Sequence, residues 1–152
     1  SEPGYIDLGD LESIMQTETT LEVNVKGALL RMVTEAARIE DEALADMLSK
    51  LRGVFVRGYS VDYLPSEARE RVTSVSRTLE ADGWERVVRV RENDEYVEML
   101  MLADGDRIEG MVVFVMEPGD NSTVFVNIVG EIEPEDISRV GRRFKIRVLE
   151  DM

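Results

Sequence analysis

The chain contains no cysteine and no histidine. Those two absences exclude disulfides, zinc–thiolate sites, Cys nucleophiles and His-based triads together. They leave the redox compartment open, because a Cys-free chain folds equally well in cytosol or periplasm. Basic residues are scarce: 18 Lys and Arg stand against 32 Asp and Glu, a net charge of -14. Such a field disfavours nonspecific binding to nucleic acid or anionic lipid, and no nucleic-acid partner is expected. No apolar run reaches the ~18 residues that suggest a membrane span. Internal repeats, low-complexity segments and long linkers are also missing.

What is present is enough apolar sequence for one domain with a real core: 152 residues, 43% of them hydrophobic. The chain is organised around residues 95–130. EYVEMLML, RIEGMVVFVME and TVFVNIVG are three Val/Ile/Met/Phe-rich runs separated by the short clusters ADGD and PGDNS. That is the signature of a β-meander. The middle run is apolar at both parities, with Val112, Phe114 and Met116 on one side and Met111, Val113 and Val115 on the other. A central strand covered on both faces follows.

Residues 1–20 resist assignment: Tyr5, Ile6 and Leu8 suit a short strand, DLGDLESIM one or two helical turns. LEVNVK at 21–26 alternates as a half-buried strand. From Ala28 to Leu51, Leu29, Val33, Ala36, Ala37, Leu44, Met47, Leu48 and Leu51 recur at helical spacing. Glu40-Asp41-Glu42 divides that stretch, with Asp41 a cap for the second helix and Gly53 a stop. Residues 54–63 read as a strand with a bulge or close approach at Gly58. A helix opens at Pro65 or Ser66, carries Ala68, Val72, Val75 and Leu79, and ends at Gly83 before Trp84. Residues 85–91 alternate as a strand, and EPEDISRV begins a short helix that Gly141 ends.

The order predicts an α+β fold, a two-layer sandwich of a largely antiparallel, five- to six-stranded sheet with two amphipathic helices on one face. The domain spans 1–141, and 142–152 form a basic C-terminal tail. The helix-covered face is assigned Val97, Met99, Met101, Val112, Phe114, Met116, Val124, Val126 and Ile128. The other face then presents Leu100, Leu102, Met111, Val113, Val115, Phe125 and Val129. An open apolar face of that kind marks an interaction site, with the N-terminal residues, a second copy or an apolar ligand as its cover. Leu100, Met111, Val113, Val115, Phe125 and Val129 are the candidate interaction residues.

Other features have plain structural readings. ADGDRIEG brings Asp104, Asp106 and Glu109 together, but the spacing lacks the extended pattern of a calcium loop and an Asp-Gly hairpin explains it. The acids at 40–42 and 133–136 sit where helix N-termini favour negative charge. Neither a metal nor a cofactor is expected. The C-terminal end stands out electrostatically: Arg139, Arg142, Arg143, Lys145 and Arg147 fall in an acid-free stretch. Arg142, Arg143, Lys145 and Arg147 either neutralise the acidic body or dock on a partner.

GYIDLGDL, LEVNVKGALLRM, RGVFVRGY, DGWERVVRV and IVGEIEPEDISRVG together resemble the bacterial family catalogued as domain of unknown function 4252, from about Gly4 to Gly141. These motifs are strand alternation and Gly punctuation rather than chemistry. The resemblance implies a small exported protein of the Gram-negative envelope, with a precursor signal sequence and with lipid anchoring of the precursor left open. It supplies no catalytic residue. The expected role is a non-enzymatic binding or regulatory domain of the cell envelope acting on a protein partner or on itself. The alternatives are a carrier of an apolar ligand on the sheet face and a carboxylate-based enzyme.

Overall fold

The meander forms and acquires a strand pair at its far edge. A computed structural model describes residues 4–6, 18–60, 66–92, 95–117 and 122–144. In chain order these are β1 (Thr19–Lys26), α1 (Gly27–Arg38), α2 (Glu42–Ser49), β2 (Leu51–Tyr59), α3 (Ser66–Ala81), β3 (Glu85–Glu92), β4 (Glu95–Asp104), β5 (Arg107–Glu117), β6 (Ser122–Ile132) and α4 (Pro134–Phe144). The six strands make one sheet ordered β1-β2-β6-β5-β4-β3, every neighbour antiparallel. The α+β class and the antiparallel sheet are therefore as the sequence predicts. No described helix is long and apolar enough to cross a membrane.

The Asp41 and Gly83 signals act as expected, while Gly53, expected to stop the helix, lies inside β2 and α2 ends at Ser49. The Asp41 side chain accepts from the Leu44 N–H at 3.0 Å and caps α2. Gly83 closes α3: its N–H bonds back to Glu80, and that of Trp84 bonds to Leu79 at 2.9 Å. Trp84 is buried against Leu79 as a result. Asp136 accepts from the Glu133 N–H and receives the Lys50 ammonium at 3.1 Å. That pair ties the end of α2 to the start of α4, and Arg139, further along α4, donates to the Ala43 carbonyl at the start of α2. Gly141 does not end α4, which continues to Phe144.

Two features depart from expectation. The helices lie on opposite faces of the sheet, so the arrangement is not two helices on one face. α3 packs Val72 and Leu79 with Leu100, Val112, Phe114, Met116 and Phe125. α2 packs Met47, with Leu44 and Leu48, into the opposite cluster of Val56, Met99, Met111, Val113, Val126 and Ile128. The second departure is β5, whose parity relative to its neighbours is the reverse of the one assigned above. Met99 pairs with Val113 and Val113 with Val126, while Leu100 pairs with Val112 and Phe114 with Phe125.

The N-terminal residues complete the α3 face. Gly4 lies so close to β5 that a Cβ on Gly110 would stand 2.7 Å from its Cα, so no larger residue fits there without movement. Asn127, fully buried, donates to the Gly4 carbonyl at 2.7 Å and to the Met111 carbonyl at 3.2 Å. Its Oδ1 accepts from the Ile6 N–H at 2.8 Å. Tyr5 meets Phe55 edge to face at 5.0 Å, and Ile6 packs against the α3 cluster.

Candidate functional site

The six sheet residues singled out above do not form a surface. Leu100 and Phe125 lie in the α3 cluster, whereas Met111, Val113 and Val115 lie in the opposite one. Val129 pairs with Gly110 and Gly53, and all six are buried within the single chain. Among the described residues the central strands β4, β5 and β6 therefore leave no apolar face open for a second copy or an apolar ligand. Of the three covers considered, the N-terminal residues supply part of one, since Ile6 packs against the α3 cluster; residues 7–17, Leu8 and Leu11 among them, lie outside the described residues. Of the basic stretch, Arg142 is exposed on α4 and Arg143 lies within that helix. Lys145 and Arg147 lie outside the described residues.

Exposed apolar character sits instead on α1. Leu29 is 50% exposed, Met32 68%, Val33 39% and the following Ile39 87%. With Ala36, also exposed, they recur at steps of three and four and form one helical stripe. The sequence names part of this stripe, but as an inward face. Leu30 and Thr34 point inward instead, the Thr34 hydroxyl satisfied by the Leu30 carbonyl at 2.7 Å. Gly27, at φ 57, turns β1 directly into α1 with no linker, and this tight junction sets the helix's rotation. Apolar residues occupy about half the circumference of α1, so burying one arc leaves another in water.

On its inner side α1 borders a cavity of about 970 Å³. Leu30, Leu48, Leu51, Phe55 and Val129 contribute its apolar lining. Lys26, Arg31 and Arg52 also line it, opposed among the described residues by one acid, Glu35. All four charged residues are exposed.

A third cluster surrounds Glu98, a fully buried acid on β4 beneath α3. Tyr96 donates to its Oε2, while Arg89 Nη2 stands 3.5 Å and Arg86 Nε 3.7 Å from Oε1. Burial pushes the carboxyl above its ordinary range; Ser76 and the Arg86 charge pull the other way without cancelling it. Neither Ser76 Oγ nor Glu98 Oε1 completes a well-formed hydrogen bond. Being sealed from solvent, this carboxyl cannot meet a substrate, which weighs against acid–base catalysis here. Its consequence is for stability. A raised folded-state pKa means the folded chain holds the proton longer, so Glu98 costs stability as pH rises past the ordinary carboxylate range. Glu98→Gln should therefore melt about 2–4 °C higher than wild type at about pH 8, a gain near 1 kcal/mol, and show no gain at about pH 4. Lower stability of the variant at the higher pH would mean that the Arg86 and Arg89 pairing outweighs burial.

The sequence carried a signal for Glu98 and Asn127, each a polar residue inside an apolar strand run. The cavity had none, because its walls come from Tyr5, β1, α1, α2, β2 and β6, some of which are far apart in sequence. No curated protein matches the chain. The family described as domain of unknown function (DUF4252) matches it over residues 15–140, and the chain belongs to that family.

Proposed function

We propose that this member of the domain of unknown function 4252 family is a non-enzymatic binding domain of the bacterial cell envelope. It engages a protein partner through the outward stripe of α1. The observation that carries this reading is the exposure of Leu29, Met32, Val33 and Ile39 along one helix. A contiguous apolar patch left in water is an interaction site more often than an accident. The mode it suits is helix-in-groove docking.

Charge and size select the partner. Two copies at net charge -14 repel one another, so a neutral or basic partner is favoured over a second copy. α1 has 12 residues and is about 18 Å long, too short to supply alone the ~800 Å² per side of a stable interface. The complex is accordingly transient, or extends beyond α1. Export rests on the resemblance to envelope proteins and is checked by cell fractionation, where a strictly cytoplasmic chain would overturn it.

Met32→Glu with Val33→Glu tests the docking surface. Both positions are solvent-exposed, so the fold should keep its stability to within about 0.5 kcal/mol. Capture from envelope extract should lose a species that wild type retains. Identical captured sets from the two proteins would remove α1 as the docking surface.

A further inference from the structure

We infer that the cavity beneath α1 binds a single-chain anionic amphiphile, in chemical class a long-chain fatty acid. The cavity has the two chemistries such a molecule needs. Its volume of about 970 Å³ lies at the upper end of the range for small-molecule sites, and Leu30, Leu48, Phe55 and Val129 give it apolar walls. Those walls present no unmet polar demand from Thr34, whose hydroxyl is already bonded to the helix backbone.

The charged lining selects the headgroup. Among the described residues, Lys26, Arg31 and Arg52 face one acid, Glu35, in a chain where acids outnumber bases by 32 to 18. Lys26 and Arg31 make no ion pair among the described residues, whereas Glu35 lies 3.7 Å from Arg38. Two cations without an ion-pair partner among the described residues, beside an apolar cavity, complement a carboxylate carrying a hydrocarbon tail. A neutral apolar ligand would leave them unused. A polyanion or an anionic bilayer would meet the repulsion of the whole acidic body, which a monomeric ligand with one charge largely escapes.

The site is distinct from the stripe, which lies on the other side of α1, so the two proposals fail separately. The test is displacement of a fluorescent polyene fatty acid from the intact chain by oleate, methyl oleate or vesicles of phosphatidylglycerol. Saturable one-to-one displacement by monomeric oleate is expected, with methyl oleate at least about ten-fold weaker because it lacks the charge-assisted bond. Lys26→Glu with Arg31→Glu, both at exposed positions, should weaken oleate by a similar factor while leaving thermal melting and methyl oleate binding unchanged. Met32→Glu should leave oleate binding as it is. Failure of the probe to bind, equal affinity for oleate and its methyl ester, or response to vesicles alone would each overturn the proposal.

Discussion

Val113→Asp is expected to unfold the protein at neutral pH. Val113 is wholly inaccessible in the central strand β5, set between Met99 of β4 and Val126 of β6. The cluster it packs in is formed by aliphatic and thioether side chains such as Met47, Met99, Met111, Val126 and Ile128. A carboxylate there loses its hydration and gains neither an ion pair nor a hydrogen-bond donor. An uncompensated buried charge costs about 3–5 kcal/mol, and the valine's own packing is lost as well. Against a total stability of about 5–15 kcal/mol that is enough to abolish or nearly abolish the fold. Circular dichroism should show a chain without a cooperative melt. Sedimentation of wild type at moderate concentration should show a monomer, because an apolar sheet face is not what the molecule presents. A folded Val113→Asp chain with a near-native melt would return the sheet face to solvent and restore it as an interface.

This expectation differs from the one drawn from sequence, and one residue accounts for the difference. Asp104 pairs with Arg107 and Ala103 with Ile108, the register of a bulge-free two-residue hairpin. Continued along β4 and β5, that register opposes residues of unlike parity and places Met99 with Val112. The register shifts between Leu102 and Ala103, so Glu109 becomes extra and like parities meet from Gly110 onward. A one-residue slip exchanges the faces of every later side chain. The β5–β6 ladder shifts at the same point, between Ile108 and Gly110. Alternation within each strand was legible because it is local. The phase between strands was not, because a bulge depends on backbone contacts such as Gly4 lying over Gly110.

A similar limit applies to α1. Its periodicity was visible in Leu29, Val33 and Ala36, and the Asp41 cap and Gly83 located the start of α2 and the end of α3. Gly53, by contrast, stops no helix: α2 ends at Ser49 and Gly53 lies within β2, paired with Val129. Periodicity names an apolar arc but not the arc that meets the sheet. Here the junction at Gly27 turns Leu30 and Thr34 inward, and the larger side chains Met32 and Ile39 outward. The candidate site follows from that rotation, with a stripe outside and a cavity inside. The Glu98 cluster and the Asn127 anchor, by contrast, were marked in sequence by the cost of placing a polar group in an apolar strand.

Asn127→Leu should destabilise the fold by about 2–4 kcal/mol, through the N-terminal residues rather than through the sheet. Leucine is close in size and suits a buried strand position, so packing alone predicts little change. The loss comes from hydrogen bonds. Without the amide, the Ile6 N–H and the carbonyls of Gly4 and Met111 lose their side-chain partner. If the N-terminal residues stay in place these groups are buried unpaired; if they lift away, Ile6 leaves the α3 cluster and Tyr5 leaves Phe55. Either outcome lowers the melting temperature by roughly 5–15 °C. The Ile6 amide, protected in wild type, should exchange at nearly the rate of an unstructured chain. Deletion of residues 1–6 separates this anchoring role from a general role in the core. In the shortened chain Asn127 has lost two of its three partners, and a buried amide so placed costs more than it returns. There Asn127→Leu should turn from destabilising to neutral or stabilising, a coupling of well over 1 kcal/mol between the substitution and the deletion. Additive effects of the two changes would mean that Asn127 acts on the sheet alone and that the N-terminal residues are held by their apolar contacts.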